Sequence, residues 1–318
     1  MDLSSGREVV LKQMSSRNCI LLASNEAYLE YAEYVAWQIR DAGLLDVTVL
    51  IASADATHAN IKGDYAEILS IDVSGFINKL PQNKRLKQYT YWRLPAFAEA
   101  AKKFDKILYL DVDFHVRGAE LMKLFDINMK GAPLAAVRDV HQSIRPDRLP
   151  NEFKILGWDN APYFNAGMLL IDGAHFREEH MLSVLETFAL DYPHALTAHD
   201  QSLLNLAYYK NWLEISPIWN WQLSPRNCRI YALFDVELVH LAGEIKPWSD
   251  THEYIDEEFI LKYRLFSKTQ PYEYDSKTSI KSTLKYILKN KWYLTKYRNW
   301  VERFESKFEG ILVKNINE

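Results

Sequence analysis

The chain is short of cysteine, of long apolar runs and of any repeated or low-complexity segment. Two cysteines in 318 residues, Cys19 and Cys228, cannot build a disulfide framework, and Cys19 lies in a predicted buried strand. That usage points to a reducing, cytoplasmic compartment. No stretch approaches the ~20 consecutive apolar residues of a membrane span. The opening "MDLSSGREVVLKQMSSRN" lacks the apolar core of a signal peptide. The absence of internal repeats argues against a solenoid or propeller.

What is present suits a soluble globular protein, with 48% hydrophobic and 25% charged residues, on a chain long enough to bury a sizeable core. Aromatics are plentiful, 19 Tyr and 9 Trp, as in proteins that stack on sugars or rest at an interface. The net charge of −4 conceals an asymmetry. Residues 277–318 hold ten Lys and Arg against four Glu, while the other 276 residues hold 28 basic against 38 acidic groups. An acidic body with a basic tail is expected, with a boundary between residues 1–276 and 277–318.

"NCILLASNEAY" predicts a buried strand that breaks into a polar loop, and "YLEYAEYVAWQIRDAG" a helix closing on Gly43. "DVTVLIAS" and "KILYLDVD" read as strands on either side of a helix over "YTYWRLPAFAEAAKKFD". "APLAAVRD" and "PYFNAGMLLID" add two strands, and "HDQSLLNLAYYK" begins a helix with Asp200 near its N-terminus. "VELVHLAG" is a late strand expected to bring His240 and Gly243 to the same region. Short apolar runs alternating with amphipathic helices predict an α/β fold: a doubly wound, mostly parallel sheet with helices on both faces, plus a C-terminal helical basic tail. Ligands of such sheets bind beyond the carboxyl ends of the strands.

That is where the run Ile107 to Leu110 ends in Asp111 and Asp113. Buried carboxylates are costly unless paired, protonated or bound to a cation. On one strand the two would share a face and offer hard oxygen ligands to a divalent cation. With His240 as a third ligand, the mixed oxygen and nitrogen set would suit Mn²⁺, or Mg²⁺, better than structural Zn²⁺. The same residues also read as a pair of loop-capping aspartates and a satisfied core histidine.

"YWRLPAFAEAAKKFDKILYLDVDFHV", "YFNAGMLLID", "HDQSLLN" and "HLAGEIKPW" occur in the order and spacing of family 8 glycosyltransferases. Over about residues 18 to 250 the chain resembles these retaining enzymes, which include glycogenin and bacterial galactosyl- and glucosyltransferases of lipopolysaccharide synthesis. The resemblance implies a GT-A fold that binds a nucleotide sugar, usually UDP-glucose or UDP-galactose, through Mn²⁺. Asp111, Asp113 and His240 look like the metal ligands, and Lys246 like a cation set against the diphosphate. Gly243 would allow close backbone approach. Arg93 matches an arginine that braces the aspartates or reaches the donor. Asn165, Asp200, Gln201 and Asp139 resemble residues around the donor sugar, and Ala23, Val112 and Ala166 flank them in the donor-binding set. Plainer readings stand beside these: Lys246 as a surface lysine, Asp200 as a helix-start residue and Asn165 as a turn residue.

The resemblance implies retention of anomeric configuration. Double displacement needs a carboxylate poised on the far face of the sugar. The matching residue is Gln201, an amide and a poor nucleophile, so a front-face substitution fits better, with Asp200 the fallback nucleophile. Two departures stand out. Asn25 occupies a place where the family commonly has an Asp contacting uracil, although its oxygen still accepts a hydrogen bond; Tyr28 matches a base-stacking residue. Phe114 and His115 follow the aspartates where small or aliphatic residues are usual, and on a continuing strand His115 would share their face.

The tail stretch "KTSIKSTLKYILKNKWYLTKYRNW" has seven Lys and Arg, no acid, and Tyr286, Trp292, Tyr293, Tyr297 and Trp300 interleaved. A membrane surface suits both features; a packed terminal helix or a nucleic-acid contact would also explain the charge. The expected protein is a bacterial-type, Mn²⁺-dependent retaining hexosyltransferase, cytoplasmic and peripheral to the inner face of the membrane. Its acceptor would be a lipo-oligosaccharide or similar glycan or glycolipid, with no nucleic acid involved. A glycogenin-like protein glucosyltransferase and a non-catalytic nucleotide-sugar-binding module are the rivals.

Overall fold

The computed structural model describes residues 17–55, 61–77, 80, 88–177, 180–224, 227–228, 230–243, 246–248, 255–268, 288 and 290–305. Along the chain run β1 (Asn18–Ala23), α1 (Leu29–Asp41), β2 (Thr48–Ser53), β3 (Glu67–Ser70), α2 (Ser74–Ile77), α3 (Arg93–Ala101), β4 (Lys106–Leu110), β5 (Phe114–Val116) and β6 (Leu134–Arg138). Then come α4 (Val140–Ile144), α5 (Asn151–Leu156), β7 (Phe164–Asp172), α6 (Gly173–Arg177), α7 (His180–Asp191) and α8 (His199–Ala207). The described chain closes with β8 (Leu213–Glu214), β9 (Trp221–Gln222), β10 (Leu238–His240), α9 (Glu257–Ser267) and α10 (Lys291–Glu305).

Seven strands form the main sheet in the order β3-β2-β1-β4-β7-β6-β8. All neighbours are parallel except β7, which runs against both β4 and β6. Eight of the nine β7 residues are buried, so no polar face marks it out from a parallel strand. Successive residues of the central strands feed two cores. Ile20, Leu22, Leu108 and Leu110 face one, and Cys19, Leu21, Ile107 and Tyr109 the other, as a period of two requires. Helices α3 and α8 cover the second face, while α1 and α10 pack on the first.

The chain leaves β1 toward β2 on one side and returns as β4 on the other, so the winding reverses between β1 and β4. Their carboxyl ends flank the crevice that such a reversal opens. Leu21 pairs with Tyr109, which sets Ala23 level with Asp111. A second sheet, β5-β10-β9, was legible only in part: β10 lies in the strand expected over "VELVHLAG", while β5 and β9, of three and two residues, carry no periodicity. It brings β10, and with it His240, across from Phe114.

The basic tail contributes to the core. In α10, Tyr297, Trp300, Val301 and Phe304 are buried. Tyr297 stacks on Trp221 with centroids 4.6 Å apart, and Arg303 pairs with Glu214 at 2.6 Å. Two of the five aromatics assigned to a membrane surface are therefore core residues, whereas Trp292 is 50% exposed. Tyr286 and the expected boundary at residue 277 lie outside the described residues. Trp300→Ala is expected to destabilise the protein by about 3–5 kcal/mol, read as a lower midpoint of denaturant unfolding. An unchanged midpoint would mean that the helix is not docked on the body in solution.

Candidate active site

Strand β4 stops at Leu110, and the chain turns at Val112 and Asp113 before returning as β5. The two aspartates thus flank a turn instead of sharing one strand face, yet their carboxylates still converge. Val112, between them, is half-buried against the first core. One ligand atom each from Asp111, Asp113 and His240 lies within 4.8 Å of the others. His240 Nε2 is 3.2 Å from Asp113 Oδ1 and 3.9 Å from Asp111 Oδ2. Asp113 Oδ1 is buried and, among the described residues, accepts no hydrogen bond. An unpartnered buried carboxylate oxygen facing a ring nitrogen and a second carboxylate is what a small divalent cation would satisfy, and the donor set is of the mixed kind such ions take.

Burial acts to raise the Asp113 carboxyl, but His240 and Lys246 outweigh it and hold the group below the usual carboxylate range. It is thus in the ionised form that a metal requires. Lys246 Nζ donates to Asp113 Oδ2 at 2.5 Å and also to the Leu241 carbonyl. Gly243 is exposed, and no described residue stands within 4 Å of where its Cβ would be.

Of the two turn aspartates Arg93 braces Asp111, and its second carboxylate partner is Asp200 of α8. Its guanidinium contacts Asp111 Oδ1 at 2.8 Å and Asp200 Oδ2 at 3.0 Å, donates to the Ala166 carbonyl at 2.8 Å and lies 4.7 Å over the Tyr109 ring. Tyr109 in turn donates to Asp111 Oδ1 at 2.7 Å, leaving Oδ2 for the cluster.

The "FNAG" stretch is strand, at the start of β7, so Asn165 is not a turn residue, and the stretch is built around an amide array. Gln201 Oε1 accepts from Asn165 Nδ2 at 3.1 Å and from the Ala166 N–H at 3.0 Å. Asn165 Oδ1 accepts from the Gly167 N–H at 3.1 Å and from Asn220 Nδ2 at 2.9 Å. A Cβ on Gly167 would stand 2.1 Å from His240 Cε1 and 2.7 Å from Nδ1, so the ring lies directly on the strand backbone. Sequence reasoning passed over both Gly167 and Asn220. A glycine inside a buried strand is the signal of such a close approach. Asp139 ends β6 and caps α4, accepting from the His141 N–H at 2.9 Å; burial raises its carboxyl, with the neighbouring His141 and Gln201 acting the other way.

At the end of β1, past the half-buried Ala23, Ser24 Oγ and Asn25 Oδ1 are buried and unpartnered. Tyr28 is 47% exposed and meets Tyr31 edge-on. Tyr31 stacks on Trp248 at 3.9 Å, which ties this loop to the segment carrying Lys246. His115 does not join the aspartates. The turn restarts the strand alternation, so Phe114 stacks on His240 at 4.4 Å, and His115 is buried against Phe259 with Nε2 3.4 Å from Glu258.

The doubly wound sheet, with two aspartates and a histidine gathered at its switch point, has the GT-A architecture. The chain belongs to glycosyltransferase family 8: the sequence model described as glycosyl transferase family 8 matches residues 19–252. Glycosyltransferase GlyF of Streptococcus pneumoniae is 28% identical over 249 residues, 73% of this chain but 58% of that protein. The match therefore spans under two thirds of that relative. A lipopolysaccharide 1,2-glucosyltransferase of Escherichia coli K12 is 23% identical over 293 residues, 81% of this chain and 84% of its own. The fold matches the galactosyltransferase LgtC, crystallised with donor and acceptor sugar analogues, at a TM-score of 0.64 and 23% identity, covering 80% of this chain and 98% of that one.

Gly167→Ala is expected to push the His240 ring off β7 and weaken Mn²⁺ binding at least about tenfold, measured by the free-ion electron paramagnetic resonance signal. Undiminished binding would show that the ring position against Gly167 is not needed for the cluster.

Proposed function

We propose that the protein is a metal-dependent retaining hexosyltransferase that moves glucose or galactose from a UDP-sugar to a glycan acceptor of the lipo-oligosaccharide kind. The observation that carries this reading is the convergence of Asp111, Asp113 and His240 around the unpartnered Asp113 Oδ1. These three would hold Mn²⁺ or Mg²⁺. When bound, the ion would supply Lewis-acid stabilisation of the departing diphosphate.

The remaining roles fall to the chain's own groups. Lys246, now on Asp113, is placed to exchange that contact for phosphate oxygens, and the open space at Gly243 leaves room for them to approach the backbone. Ser24 Oγ and Asn25 Oδ1 offer hydrogen-bonding atoms to a pyrimidine edge, with Tyr28 as the stacking face. Asp139 would meet the sugar hydroxyls, and Asp200 and Asn165, already held by Arg93 and by the amide array, would support that side of the site.

Front-face substitution is favoured by the state of the two nucleophile candidates. The Gln201 oxygen already accepts two N–H donors, which use both its lone pairs. Asp200 is buried and held by Arg93. Neither is free to attack the anomeric carbon, so the departing phosphate is left to take the acceptor proton. Similarity to the Escherichia coli lipopolysaccharide glucosyltransferase supports the acceptor class. The outer face of α10, with Lys291, Trp292 and Arg298 exposed, supports a place at the cytoplasmic surface of an anionic membrane.

With a panel of nucleotide sugars, UDP is expected to be released from one UDP-hexose in Mn²⁺ and not in EDTA, and not by Asp113→Asn. Turnover that ignores EDTA would overturn the metal reading, and absence of binding to every nucleotide sugar would overturn the donor reading. In sedimentation with vesicles, the protein is expected to pellet with anionic lipid at low salt, and a Lys291→Glu, Arg298→Glu double variant to remain in solution. Equal pelleting of both would remove α10 from the membrane contact.

A further inference from the structure

Asn220 is fully buried between His240 and the amide array of β7. We propose that it is a positioning residue that dictates which ring nitrogen of His240 faces the metal cluster, through a chain of side-chain amides whose polarity is set by the backbone of β7. The inference rests on the metal reading above.

The polarity follows from groups that have no choice. A backbone N–H only donates, so the Asn165 atom 3.1 Å from the Gly167 N–H is its oxygen, and the Gln201 atom 3.0 Å from the Ala166 N–H is likewise oxygen. Asn165 Nδ2 then donates to Gln201 Oε1. Because Asn165 Oδ1 is an acceptor, the Asn220 atom 2.9 Å from it must be Nδ2. That leaves Asn220 Oδ1 pointing at His240 Nδ1, 3.1 Å away. An amide oxygen only accepts, so the ring proton belongs on Nδ1.

A neutral imidazole has a single N–H. With the first proton on Nδ1, a second proton on Nε2 faces Asp113 Oδ1 and Asp111 Oδ2; a cation displaces that proton, and the neutral ring left behind presents its Nε2 lone pair to the cluster. The arrangement works against a competitor inside the protein. Without Asn220, the neutral ring would move its proton to Nε2 and donate to the unpartnered Asp113 Oδ1 3.2 Å away, closing the cluster on itself. Phe114 against one face of the ring and Gly167 beneath it prevent a ring flip from serving instead. Metal-bound histidines generally have their second nitrogen tied to such an acceptor. Here the acceptor's own orientation is inherited from two backbone N–H groups of β7.

The test uses the full chain and two variants. Asn220→Leu keeps the volume and removes the acceptor; Asn220→Asp keeps an acceptor oxygen for Nδ1–H and, protonated on its other oxygen in this buried place, still donates to Asn165 Oδ1. Imidazole-labelled protein without metal is read for the tautomer of the neutral His240 ring by long-range proton–nitrogen correlation spectra, and Mn²⁺ affinity is read by electron paramagnetic resonance. The wild type and Asn220→Asp are expected to show the Nδ1–H form. Asn220→Leu is expected to shift to Nε2–H and to bind Mn²⁺ about 10–100-fold more weakly, with Asn220→Asp recovering most of the affinity. An Nε2–H tautomer in the wild type, an unchanged tautomer or affinity in Asn220→Leu, or an equal loss in both variants overturns the proposal. A wild type with the Nδ1–H form that binds no Mn²⁺ overturns the metal reading alone and leaves the tautomer assignment standing.

Discussion

Asp111, from the end of the central strand β4, and Asp200, from the first turn of α8, both reach a place where little water remains, and Arg93 lies between them. A guanidinium is planar, permanently charged and able to bond in several directions at once, which is what two carboxylates from different elements require. Arg93 also bonds the Ala166 carbonyl and covers the Tyr109 ring, so α3, β4, β7 and α8 meet on one side chain. Burial of these charges is costly in itself, and removing one partner of a buried pair usually costs more than the pair contributes. The remaining features of the site are arranged around that fixed point.

On the other side of Asp111 the constraint is steric. The carboxylates approach His240 only because the main sheet stops, turns at Val112 and restarts as the edge of a small second sheet. Phe114 and Gly167 hold the histidine ring between them. A ring fixed in this way, with its second nitrogen tied to Asn220, offers a cation little rotational freedom to lose on binding. The cluster and the β1 loop flank the reversal between β1 and β4, so the order of strands brings both to the crevice where ligands of such sheets bind.

Much of this was legible in the sequence for identifiable reasons. Strands β1, β2, β4, β6 and β7 announce themselves as apolar runs, and the D-x-D and H-x-x-G patterns mark where chemistry replaces packing. The direction of β7 was not legible, since a strand buried on both faces has no polar side to betray its neighbours. The turn at Val112 was missed because an apolar residue between two aspartates looks like a continuing strand, and that error placed His115 on the wrong side. Asn220 was invisible for a different reason. Its meaning depends on Asn165, 55 residues away, and on a polarity that only backbone geometry reveals.

The C-terminal helix shows how far the site's support extends. Its Tyr297 lies on Trp221, and the next residue, Gln222, accepts from the Val140 N–H at 2.9 Å and donates to the Arg138 carbonyl at 3.0 Å. Those two contacts bracket Asp139. Arg138 itself pairs with Glu214, whose other oxygen takes Arg303 of the helix. A segment whose composition suggests an appendage therefore packs against the strand and side chains that hold the acid at the end of β6. Its exposed face carries cations and a tryptophan, while its buried face is part of the wall behind the site. The helix proposed to meet a membrane is therefore also one that packs, through Tyr297 and Trp221, behind the Gln222 contacts that bracket Asp139.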